Sequence, residues 1–237
     1  MRGLLVIAMF LVSLANAAWQ DYTEVRELRL DTDGIKTFIL DVGAGSLDVT
    51  GVAGSDRILV MATIKVDDGD DDARKLIEKR MSLTLDSNGS EAILIARFEQ
   101  GMFGTSTDAS IDLEVQVPED VMIRIDDGSG SIDVRSMSAD VAIDDGSGSI
   151  DVNRAGSVSI DDGSGSILVS DANGDVNIND GSGSITVRNV QGSVRIDDGS
   201  GGIDVDYVEH DLVIIDDGSG SLTYANVKGS VEGDIEE

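Results

Sequence analysis

The 237-residue chain contains no cysteine, one histidine, one proline and few aromatic residues. Each absence removes a class of answer. Without cysteine there is no disulfide, no thiolate metal site, no Cys nucleophile and no lipid-bearing Cys. A single histidine, His210, excludes a multi-His zinc site. Basic residues are scarce as well: Lys plus Arg total 17 against 46 Asp plus Glu, a formal net charge of −29. So acidic a chain repels phosphate backbones and anionic lipid heads, which excludes nucleic acid as a partner. What remains is enough to fold. Hydrophobic residues make up 41% of the chain, so wholesale disorder is not expected despite the charge.

The first segment reads as an address. Arg2 is followed by an apolar run from Gly3 to Leu14 and then by Ala15-Asn16-Ala17, small residues at the positions a signal peptidase recognises. The run is about 12 residues, short of the roughly 20 needed to span a bilayer as a helix. Residues 1–17 are therefore expected to be a signal peptide cleaved after Ala17. The product is then exported to the periplasm, the cell surface or beyond, with no transmembrane segment in the mature chain.

The second half is an internal repeat. Asp-Gly-Ser-Gly begins at Asp127, Asp145, Asp162, Asp180, Asp198 and Asp217, at intervals of 18, 17, 18, 18 and 19 residues. Within each unit apolar residues alternate with polar ones, the period of a strand and not of a helix. Aligning the units gives columns: Ile123, Val141, Val158, Val176, Val194 and Val213, then Ile125, Ile143, Ile160, Ile178, Ile196 and Ile215. After the turn come Ile132, Ile150, Ile167, Ile185, Ile203 and Leu222, then Val134, Val152, Val169, Val187, Val205 and Tyr224. A fifth column is Met137, Ala155, Ala172, Val190, Val208 and Val227. One such rung cannot bury its apolar side alone, but stacked rungs make a continuous core. The expected fold is all-β: a right-handed parallel β-solenoid with about 18 residues per rung and six rungs over 119–237. The glycine pairs, such as Gly128 and Gly130, are expected to supply positive φ at the corner.

Residues 18–118 read as an N-terminal cap hiding the first open edge. Asp41-Val42-Gly43-Ala44-Gly45-Ser46-Leu47 is a worn copy of the repeat. Ile58, Val60, Ala62, Ile64 and Val66 alternate over a long strand, and strands are expected at 81–86, 92–98 and 111–117, with an Asn88-Gly89 hairpin turn. A short helix is expected over Ala73–Met81, capped by Asp72, with Lys79 and Arg80 at its C-terminal end.

The early Gly43-Ala44-Gly45-Ser46-Leu47 copy, the strand–helix–strand insert and Val117-Pro118-Glu119-Asp120-Val121 leading into the repeats give the chain a resemblance. From roughly Tyr22 to Asp234 it resembles the bacterial putative-adhesin family of unknown function, exported proteins with a β-solenoid. The resemblance implies a non-enzymatic, adhesive or structural envelope role. It brings no catalytic residues with it.

The sharpest chemical candidate is a pair of acidic columns. One is Asp126, Asp144, Asp161, Asn179, Asp197 and Asp216; its neighbour is Asp127, Asp145, Asp162, Asp180, Asp198 and Asp217. Like charges one rung apart, at about 4.8 Å, repel by about 0.9 kcal/mol even in water. Calcium held by carboxylates and turn carbonyls would relieve this. The alternative is that one Asp of each pair caps the turn while the other points into water. The Asp67–Asp72 loop lacks the spacing of a helix–loop–helix calcium site and reads as a solvated start to the helix. His210 is expected to lie in a corner one residue longer than the others. No serine has a partner base near it in sequence, and the repeats carry 26 acidic and 6 basic residues, the wrong sign for binding an acidic polysaccharide.

No catalytic, cofactor-binding or metal-binding residue is therefore assigned. The expected function is a non-enzymatic adhesin-like module acting on an envelope or surface partner. A polysaccharide-active enzyme on a β-helix scaffold is the alternative.

Overall fold

The computed structural model describes residues 8–10, 22–67, 69–99 and 109–233. Most of the expected signal peptide thus lies outside the described residues. Its one described piece, β1 (Ala8–Phe10), runs antiparallel to Val25–Glu27.

The chain is a β-solenoid whose first complete rung is the worn copy. Strand β3 (Thr37–Val52) and strand β8 (Met122–Arg135) lie parallel along their whole length, with Phe38 beside Ile123, Leu40 beside Ile125 and Leu47 beside Ile132. Both strands bend through the turn. Later rungs divide at that bend. Strands β9 (Val141–Asp145), β11 (Val158–Asp162), β13 (Val176–Asp180), β15 (Val194–Asp198), β17 (Leu212–Asp216) and β19 (Val231–Gly233) continue one parallel sheet. Strands β10 (Gly148–Ala155), β12 (Gly165–Ala172), β14 (Gly183–Val190), β16 (Gly201–Val208) and β18 (Ser221–Val227) continue the other.

The cap supplies the surface on which β3 rests. Strand β6 (Glu91–Phe98) pairs with the first half of β3, and β7 (Ala109–Pro118) with its second half, so the two together act as a rung. Outside them the pairing turns antiparallel: β5 (Met81–Asn88) closes a hairpin on β6 at the expected Asn88-Gly89 turn. Likewise β4 (Arg57–Val66) pairs with β7, and β2 (Tyr22–Asp31) with β4. Changing the direction of pairing ends the parallel stack.

Helix α1 (Asp70–Arg80) starts three residues before the expected Ala73, and its N-cap is Gly69, with no side-chain cap hydrogen bond. Asp72 lies within the first turn and pairs with Lys75, Nζ to Oδ1 2.8 Å. Asp71 and Asp72 at the N-terminal end suit the helix dipole without a cap. Ala73 and Ile77 are its buried residues.

The core is the predicted set of columns, almost fully enclosed: Ile123, Val141, Val158 and Val176 are each at most 1% exposed. It continues through Phe38 and Leu40 of β3 into Ala92 and Leu94 of β6. The last rung departs from the expectation. Val194 and Ile196 are covered by Leu212 and Ile214, not by Val213 and Ile215, and a bulge follows before Asp216 pairs with Asp197. The corner at His210 is of ordinary length: Val208 still pairs with Val190 and Leu212 with Val194. The additional residue is Ile215, extruded from the strand and 38% exposed. Tyr224, expected inside, is 40% exposed on the terminal strand.

Candidate functional site

The Asp-Asp-Gly-Ser-Gly turn builds both candidate surfaces. Strict alternation carries the inward face of β8 from Ile123 through Ile125 to Asp127. The two aspartates of each turn therefore part company. Asp126, Asp144 and Asp161 are exposed. Asp127, Asp145, Asp162, Asp180 and Asp198 are 0–5% exposed and stack in register inside the corner.

Each inward aspartate caps its own turn. Oδ1 accepts from the backbone N–H two residues on: Ser129 (3.3 Å), Ser147 (3.2 Å), Ser164 (3.1 Å), Ser182 (3.0 Å) and Ser200 (3.0 Å). This is the capping role expected of one Asp per pair. Every Oδ2 of the five is buried without a hydrogen-bond partner. Among the described residues the remaining buried carboxylate makes the contrast: Glu24 accepts from Tyr22 Oη (3.0 Å) and Arg26 Nε (2.8 Å). In the last rung the bulge shifts the cap to Asp216, which accepts from the Gly218 N–H at 2.8 Å, and Asp216 is exposed.

Burial drives the titration of this column upward. It pushes Asp127 up to about 6, with the Asp145 charge adding to it, and Asp180 also up to about 6. Asp145, Asp162 and Asp198 are raised, burial again the largest cause, while the turn N–H groups pull the other way. The calcium arrangement requires several carboxylates converging on one point. Among the described residues there is no group of three or more His, Cys, Asp or Glu side chains that could hold a metal ion.

The glycines divide their duties differently from the expectation of a positive φ at both. In the first five turns only the second of each pair has one, Gly130, Gly148, Gly165, Gly183 and Gly201 lying at φ 144–153°; in the bulged last turn it is the first, Gly218, at φ 56°. The first is needed for closeness. A Cβ on Gly146 would stand 2.6 Å from the carbonyl oxygen of Gly128 in the rung before.

The outer face of the sheet containing β9, β11 and β13 carries a shallow groove. Its floor follows the outward column Ile39, Arg124, Ala142 and Ser159, then Asn177 and Arg195. Asp126, Asp144, Asp161 and Asp197 line it as well. Two hollows of about 380 and 250 Å³ meet at Ser159 and Asp161, so the groove runs lengthwise across the rungs. From β3 to β17 that is six strand spacings, about 29 Å. Small side chains at Ala142 and Ser159 leave the middle open. Asn179 Nδ2 donates to Asp161 Oδ1 at 3.1 Å, relieving the acidic row at one rung.

The register defines the class: a capped parallel β-solenoid. No family model matches the chain, and no curated protein does. Solved structures do. A putative adhesin from Bacteroides fragilis aligns over 89% of this chain and 97% of its own, with 11% identity and a TM-score of 0.53, a likeness of fold. A putative cell adhesion protein from Clostridium sporogenes covers 91% of this chain and all of its own at 11% identity and TM-score 0.41. A putative lipid binding protein from Parabacteroides distasonis covers 89% and 94% at 14% identity and TM-score 0.48.

Proposed function

We propose that the chain is an exported, non-enzymatic β-solenoid, an adhesin-like binding module of the bacterial cell envelope, and that the outer groove is its binding face. The lengthwise groove carries this reading. A channel crossing successive rungs accepts an extended chain, about three peptide residues for every two rungs. Its acidic lining and the net charge of −29 favour a partner segment carrying spaced positive charges. No helix of the described residues is long and apolar enough to cross a membrane. Export rests on Arg2, the apolar run and Ala15-Asn16-Ala17. The named role of the Bacteroides fragilis relative supports adhesion over catalysis.

The test is binding of an extended lysine–serine peptide and of a glutamate–serine counterpart to the purified protein, at low and high salt. The basic peptide should bind and be released by salt. Reversing the lining with Asp144→Lys and Asp161→Lys should abolish that binding. Equal binding of both peptides, or no effect of the reversal, would remove the groove as the binding face.

A further inference from the structure

We propose that the inward aspartate column is a chain of proton-binding sites, in which carboxyls of adjacent rungs share protons and the solenoid is stabilised by taking them up. The observation is geometric. Five carboxylates, each more than nine-tenths buried, stand one above another, and each leaves Oδ2 without a partner. A buried acceptor that lacks a donor is costly, and five in one column is a pattern. Ionised together they would also repel across about 4.8 Å in a medium of low dielectric. A proton held between neighbouring rungs answers both problems. It supplies the missing O–H donor, and it removes charge from the column.

No neighbouring element offers another remedy. The charged groups acting on the column are all aspartates: Asp126, Asp144, Asp161 and Asp197 beside it, with Asp216 and Asp217 at the far end. Below, the same position of β3 is Val42, which brings no charge. Across the turn, β10, β12, β14 and β16 begin with glycine followed by serine or glycine. Among the described residues a divalent ion lacks the converging ligand set it needs.

The sign of the effect follows from linkage. Carboxyls raised to about 6 in the fold, against about 3.9 unfolded, hold protons more tightly in the native state. Their stabilising contribution is complete below about pH 4 and is lost as pH rises through about 6. The inference is independent of the groove.

The test uses the whole mature chain. Side-chain carboxyl carbons of the five inward aspartates, followed by NMR, should titrate well above the ordinary aspartate range. The melting temperature should rise as pH falls from about 7.5 to about 5. Asp145→Asn with Asp180→Asn, which keeps the turn-capping oxygen and adds an N–H donor, should flatten that rise. Asp144→Asn should leave it intact. Inward carboxyls titrating in the ordinary aspartate range would overturn the proposal, and that measurement decides the matter even if the double variant does not fold. An unchanged slope in a folded double variant would also overturn it. So would a rise in melting temperature at neutral pH produced by calcium, beyond a sodium control of equal ionic strength and lost in the double variant, since the occupant would then be the cation.

Discussion

A Cβ on Gly148 would lie 1.5 Å from the carbonyl oxygen of Gly130, the equivalent residue one rung earlier. The two are paired neighbours in β10 and β8, and Gly148 has φ 148°. Steric room and backbone conformation therefore demand glycine for separate reasons. Gly148→Ala is expected to destabilise the protein by several kcal/mol, the range of a forced backbone shift in a packed interior. The control is Gly202, where a Cβ meets nothing closer than Ser221 Oγ at 3.6 Å and where Ser184 stands in the rung before. Gly202→Ser should change stability by no more than about 0.5 kcal/mol. Chemical denaturation of the two variants checks both; equal losses would contradict the distinction.

Ile160 and Ser159 are neighbours in β11 facing opposite ways, Ile160 2% exposed and Ser159 exposed. Ile160→Asp adds a carboxylate to a column of isoleucines that offers it no hydrogen-bond donor. The loss should be several kcal/mol, against about 0.5 kcal/mol or less for Ser159→Asp. A comparison of urea midpoints distinguishes them.

This much was legible in the sequence because the solenoid repeats every decision. The columns Ile125 to Ile196 and Val134 to Val205 need only period-two alternation and a constant interval. The split of the aspartates was legible too, since Asp127 stands four residues after Ile123 on the same face, and the turn-capping alternative already parts the two. The corner just before the Met137 column was not. It puts Ser136, Arg154, Asp171, Asn189, Tyr207 and Asn226 at φ 54–64°, a left-handed position filled by six residues of which two are asparagine. No single residue type marks it, because stacking between rungs holds the conformation, as in Asn189 Nδ2 donating to Asp171 Oδ1 at 3.1 Å. Strand β2 was missed for a related reason: its burial pattern is only partly alternating, and it is placed by pairing with β4.

The acid limb of the stability profile belongs to the cap. Asp112 accepts from the Ser46 N–H at 3.0 Å and pairs with Lys65; burial pushes its carboxyl up, but these partners hold it below the usual range. Burial likewise opposes Glu24, and Arg26 and Tyr22 overcome it. Groups lowered in the fold contribute stability above their unfolded values, lost as pH falls through the folded ones. Stability should thus fall below about pH 4, the reverse of the trend expected from the inward column above it. Lys65→Met should move the onset of acid unfolding to higher pH. An unmoved onset would mean that Asp112 contributes nothing to it.

Ile215 is the one residue the last rung does not use. Val194-Arg195-Ile196-Asp197-Asp198 is answered by Leu212-Val213-Ile214, then the bulge, then Asp216-Asp217. Deleting Ile215 would keep Asp216 over Asp197 and set Asp217 over Asp198 without a break. The turn cap would then pass from Asp216 back to Asp217, whose carboxylate would join the inward column. The deletion also removes an apolar side chain that is 38% exposed. Both changes favour the fold at mildly acidic pH, so the melting temperature there should rise by a few degrees, as about 1 kcal/mol does in a domain of this size. A second consequence runs the other way. The bulge breaks the flat edge of this rung, and among the described residues β18 is followed by the three residues of β19. Bulges and short edge strands are how sheets avoid end-to-end growth. Without Ile215 the rod should present a regular edge and associate with itself as its concentration rises, which light scattering measures directly. A deletion variant that melts earlier than the parent and stays monomeric would show that the bulge is needed for folding and not for ending the stack.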